Sequence, residues 1–139
     1  MVNRVKNNSV WILMAGLGLI YVLYYVFDGY KYVEQNYNMT FRIIYQFIAV
    51  PIVYMAISAI VTNLVLDWSN KKPTQKTSRL SLIIGAVMMV MFLIFLIAGF
   101  NKNYSFLTLT IGILENPVFF AVVGILIAIG IRGIKKENT

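Results

Sequence analysis

Four apolar runs, at 10–27, 43–66, 80–100 and 106–131, constrain this chain more than any other feature. A helix that crosses a hydrocarbon core of about 30 Å needs roughly 20 residues, and each run is of that length or close to it. Strands of a membrane barrel would alternate apolar and polar side chains, whereas "AVMMVMFLIFLIAGF" shows no alternation. Backbone polar groups in lipid must be satisfied within their own segment, which leaves helices. The expected fold is therefore an all-α integral membrane protein. Its four transmembrane helices fall at about 10–27, 43–66, 80–100 and 112–131, as two helical hairpins in one domain spanning 1–139. Residues 67–79 form a basic linker between the hairpins, and 28–42 and 101–111 form the connections at the opposite end. Composition agrees: at 60% hydrophobic and 12% charged residues, a soluble fold this short has too little interior to hide its apolar surface. The first run follows a basic start, "MVNRVKNN", but continues into "YYVFDGYKYVEQ" without a small-x-small cleavage pattern, so it reads as a helix of the mature chain.

Orientation follows from Lys and Arg. Nine of the 12 lie at the N-terminus (Arg4, Lys6), in the middle linker (Lys71, Lys72, Lys76, Arg79) and at the C-terminus (Arg132, Lys135, Lys136). The other connections hold only Lys31, Arg42 and Lys102. By the positive-inside rule both termini and the linker are cytoplasmic, in a cell membrane. The net charge of +7 is dispersed beside helix ends, which suits anionic lipid headgroups. It lacks the single clustered face that a nucleic-acid partner requires.

The chain has no Cys, and none of its residues is His. Disulfides, thiolate or imidazole metal sites, His-ligated haem, a Cys nucleophile and a Ser-His-Asp triad are all excluded. No cofactor or metal is expected. Acid–base work is left to Asp28, Glu34, Asp67, Glu115 and Glu137; their spacing demands no hydrolytic dyad, and the chain reads as no enzyme.

Aromatic residues crowd the outer end of the first hairpin, with Tyr24, Tyr25, Tyr30, Tyr32 and Tyr37 among them. Amphipathic rings settle at headgroup level, and a dense tyrosine cluster also offers rigid contact area for a protein partner. Small residues at intervals of three and four mark helix packing: Ala56, Ala59 and Asn63 in the second run, Gly124 and Ala128 in the fourth. The third run, with Met88, Met89 and Met91, has almost no polar side chain and is the best candidate for facing lipid or a hydrophobic partner. An offset of 66 pairs Pro51 with Pro117, Tyr54 with Phe120 and Ser58 with Gly124, a weak hint of two parallel hairpin repeats.

The oddest stretch is "ENP", with Glu115, Asn116 and Pro117 inside the last apolar run. Three placements are open. A helix beginning near Gly112 puts Glu115 at the interface; one tilted helix from Phe106 puts it roughly 10 Å deep, where an ionisable group is costly and usually functional. Alternatively, Asn116 is an N-cap and Pro117 a first helical residue, so that the helix breaks there and "SFLTLTIGIL" leads in separately. Arg42 and Gln46, four residues apart on one helical face, are the nearest plausible partners for Glu115. Together Glu115, Asn116, Arg42 and Gln46 form the candidate polar or ion site, and Pro51 and Pro117 the candidate helix breaks.

The size and four-helix plan are similar to those of small multidrug transporters, holin-like proteins and bacteriocin immunity proteins, but no motif of these families is present. The first helix lacks the mid-membrane carboxylate of the small multidrug transporters. Composition rich in Ile, Asn and Lys points to a bacterial host. The functional expectation is a small non-catalytic membrane protein acting through contacts with a partner membrane protein or complex, as accessory subunit, regulator or immunity-type factor. The alternative is an oligomeric transporter or channel with its polar site near Glu115. Either way its partners are the lipid bilayer and further copies or another membrane protein.

Overall fold

A computed structural model describes residues 2–29, 31, 40–70, 72–100 and 104–134, and all the regular structure among them is helical. Helix α1 (Val2–Tyr24) runs into a π-helical turn, Tyr25–Gly29. A short α2 (Thr40–Ile44) continues through a second π-helical turn, Tyr45–Ala49, into α3 (Val50–Trp68). Then come α4 (Gln75–Phe100), α5 (Tyr104–Glu115) and α6 (Pro117–Ile134). Three helical stretches are long and apolar enough to cross a membrane: Asn8–Gly29, Phe41–Trp68 and Gln75–Ala98. Helices α5 and α6 reach that length and apolarity only together, as a pair bent by 73°.

The two prolines act differently on the backbone. Pro51 has no N–H to donate to the Phe47 carbonyl, and in a regular helix its ring presses on that group. The preceding turn widens instead: Val50 N–H bonds to the Tyr45 carbonyl five residues back, and the rod continues unbroken. Pro117 stands where the chain does break. Asn116 is the one residue between α5 and α6, so the break forms as the "ENP" reading expects.

Several boundaries differ from the sequence reading: α1 begins at Val2, ahead of the expected start near 10. Residues 104–111, expected in a connection, belong to α5, because "YSFLTLTI" contains no breaker and the helix runs on to the Asn116–Pro117 signal. The linker is also shorter than 67–79. Asn70, with φ of 50°, ends α3 in the left-handed conformation that Asn tolerates. Thr74 caps α4, its Oγ1 accepting the Thr77 N–H at 3.3 Å.

Side-chain size sets which helices meet. Gly18 lets α1 approach α3 at Val53 and the Ala49 carbonyl, and Gly124 lets α6 approach α3 at Ser58 and Met55. On the other side of α6, Gly85 of α4 meets Leu126 and Ile127, while Gly130 and Gly133 receive Leu82 and Ser78. The packing order is therefore α1, α3, α6, α4, with α5 laid against α4. Among the described residues α1 and α4 make no extensive contact, so the long helices form an open row rather than a closed ring. Each sequence-adjacent hairpin is paired, and the two inner helices are those that carry the prolines.

The main apolar core lies where α3, α4, α5 and α6 converge. Met55, Phe92, Leu114, Phe120 and Val123 are buried there, with Phe47, Leu96 and Phe119 packed around them. Phe92 meets Phe120 edge-on, centroids 5.2 Å apart and planes at 88°, the geometry aromatic quadrupoles favour. The methionine-rich α4 divides its surface. Ser81, Gly85 and Phe92 face the bundle, whereas Ile83, Val87, Val90, Met91, Ile94 and Ile97 are exposed.

Candidate functional site

Polar side chains gather at both ends of the row. At the proline end, Asn116 is held by three bonds of 3.2 Å. Its Oδ1 accepts the Val118 N–H, its carbonyl accepts the Phe119 N–H, and its own N–H donates to the Ile113 carbonyl. Asn116 thus caps α6, and Pro117 occupies a first-turn position where no N–H is needed. Glu115 is the last residue of α5 and is exposed. Arg42, on α2, is exposed, and Gln46 is half-buried in the second π-helical turn. The structure does not pair Arg42 with Glu115. Helix α5 packs chiefly on α4, while Arg42 and Gln46 lie on the segment that leads into α3.

The aromatic residues of this end fasten the two π-helical turns to each other. Tyr25 and Tyr45 stack with centroids 4.3 Å apart and planes at 16°. Tyr24 lies tilted against Tyr21 and Phe41, and the Tyr21 hydroxyl donates to the Phe41 carbonyl at 3.3 Å. Tyr25 is buried by this packing, and Tyr24 keeps an exposed edge. Tyr30, Tyr32 and Tyr37 lie outside the described residues.

At the basic end a polar chain ties three helices. Asn63 of α3 donates from Nδ2 to Asn8 Oδ1 of α1 at 2.8 Å, both side chains being buried. Arg132 of α6 donates to the Asn63 carbonyl at 2.5 Å and pairs with the Asp67 carboxylate. Both charged side chains are largely withdrawn from solvent, at 21% and 16% exposure, and a charge so placed is held only with a partner. Near them the Ser78 hydroxyl is buried against Gly133 without a hydrogen-bond partner.

The five expected packing residues, Ala56, Ala59, Asn63, Gly124 and Ala128, are all buried. Sequence reasoning singled out Asn63 but missed Asn8, Asp67 and Arg132 as its network. The signal was present: Asp67 and Arg132 carry opposite charges at the same end of two spans. Chemically this cluster neutralises a carboxylate and joins helices. Among the described residues no group of three or more His, Cys, Asp or Glu could hold a metal ion. No family model, curated protein or solved structure matches the chain.

Proposed function

We propose that the chain is a multi-pass protein of the cell membrane, with both termini cytoplasmic. It is non-catalytic and works by contact with a partner membrane protein or complex, as an accessory subunit, regulator or immunity-type factor. The observation that carries this reading is the open row of spans. A closed bundle satisfies its own helices, whereas a row leaves both outer helices with a free apolar face. On α4 that face includes Ile83, Val87, Val90, Ile94 and Ile97, and on α1 it includes Leu13, Leu17 and Ile20. Either face suits lipid or the helices of another protein. The exposed aromatic edge of Tyr24 and Phe27 at the end of α1 adds a rigid contact patch. The orientation is supported by Lys72, Lys76 and Arg79, exposed at the end of the row that also holds Arg132.

A second reading, a small oligomeric transporter or channel, is favoured by one specific feature. The packing order is the same read from either hairpin. In both, the inner helix carries a proline preceded by irregular backbone, and Ser58 touches Gly124, its partner at an offset of 66. Such repeats serve transport when several copies enclose a path. Purification from native membranes in mild detergent separates the two readings. A stable hetero-complex is the expected result, and a homo-oligomer that supports flux in liposomes would overturn the contact reading.

A further inference from the structure

Helix α5 is the element for which the bundle gives the least account. Its partner α6 has 18 residues, about 27 Å at 1.5 Å per residue, within a few ångströms of a hydrocarbon core of about 30 Å. The bend of 73° then sets α5 across the direction of the span rather than along it. Its surface is divided to match. Thr110 and Leu114, at 1% and 6% exposure, face the protein, with Leu114 seated in the core beside Phe92 and Phe120. Thr108, Gly112 and Glu115 follow the i, i+4, i+7 spacing of one helical face, opposite the buried one, and all three are exposed. Leu109 and Ile111 lie on the two flanks between these faces and are exposed as well, at 52% and 39%. An added Cβ at Gly112 meets nothing within 4 Å, so this face is open.

We infer that α5 is an interfacial helix that lies on the bilayer at the proline end of the bundle. Its occupant is the boundary between headgroups and acyl chains in that leaflet. The stripe of Thr108, Gly112 and Glu115 points to headgroups and water, Leu109 and Ile111 dip toward the acyl chains, and Thr110 and Leu114 clasp the core. Apolar flanks below a polar stripe are what an in-plane helix requires. The exposed Ile94 and Ile97 of α4, on which α5 packs, continue the same apolar surface downward. Glu115 then lies at headgroup level, where its carboxylate keeps its water and acts as an interfacial anchor rather than a transport site.

This inference rests on the membrane reading, and the experiment separates the two. The chain has no Cys, so single-cysteine variants can carry a nitroxide label in the full-length protein reconstituted in phosphatidylcholine–phosphatidylglycerol vesicles. Oxygen and nickel-chelate accessibilities give the depth of labels at Thr108→Cys, Leu109→Cys, Ile111→Cys, Gly112→Cys and Val87→Cys. Val87, exposed midway along α4, reports the bilayer interior. The expected result is that Thr108 and Gly112 sit at nearly equal depth in the headgroups, within about 2 Å given the bend. Leu109 and Ile111 should lie deeper, at roughly 5–10 Å into the boundary, and Val87 deepest. A difference of about 6 Å between Thr108 and Gly112, the rise of four residues of an upright helix, would make α5 an arm of the span and overturn the inference. So would α5 labels in bulk water with Val87 deep. Val87 itself in water would remove the membrane reading first.

Discussion

At Gly124 the fold depends on the absence of a side chain. A Cβ there would press into the Ser58 hydroxyl and the Met55 carbonyl across the α3–α6 contact. Alanine is a better helix former than glycine by about 1 kcal/mol, so at an open position the substitution stabilises. Gly124→Ala should instead destabilise by roughly 1–3 kcal/mol, the usual cost of overpacking. Gly112→Ala, with nothing within 4 Å of the new atom, is the control that should move the other way. Denaturant unfolding in mixed micelles measures both, and equal shifts would refute the close approach. Asn63 makes a complementary case. Asn63→Leu removes the donor to Asn8 and leaves a buried Oδ1 unsatisfied, at a cost of about 1–2 kcal/mol. The double variant Asn8→Leu/Asn63→Leu should recover part of that loss, because no buried polar atom is then orphaned.

Elements differ in what local sequence decides about them. A proline is legible in any sequence, but its effect depends on what surrounds it. Before Pro51 the chain "YQFIA" makes no side-chain cap, and one widened turn absorbs the missing hydrogen bond. Before Pro117 stands Asn116, whose side chain supplies an acceptor to the new helix and makes a full break favourable. Asn116→Leu together with Pro117→Ala should therefore let α5 and α6 join into a straighter helix. Spin-label distances between positions 109 and 125 would lengthen if so, whereas an unchanged distance would assign the bend to tertiary packing by the Phe92 core. Tyr25 and Tyr45 stack because both π-helical turns lie side by side, a juxtaposition no local pattern announces.

For the molecule as a whole, the polar tie between the hairpins lies at the basic end. Arg132 of the second hairpin binds the Asn63 carbonyl and the Asp67 carboxylate of the first. Arg132→Leu leaves Asp67 poorly solvated and unpaired, a change that in buried settings costs roughly 3–5 kcal/mol and less here, where both groups retain some solvent. Adding Asp67→Leu should restore much of the stability, as judged by resistance to thermal aggregation in detergent. No recovery in the double variant would show that the pair does more than neutralise a charge.

The apolar runs by themselves determined that the chain is helical, and they located the helical stretches to within a few residues at most ends. Long apolar runs favour helices because a helix satisfies its backbone polar groups within its own segment, a purely local matter. The residues at helix interfaces were legible too, since small side chains at spacings of three and four permit close approach whatever the partner. Which helix each one meets was not legible. Gly124 and Gly130 lie six residues apart on one helix, yet the first receives Ser58 and Met55 of α3 and the second Leu82 of α4. Only the tertiary structure decided that the row is open, that Asp67 pairs with Arg132 rather than Glu115 with Arg42, and that α5 turns through 73°. These are relations between residues far apart in the chain, fixed by which surfaces fit together.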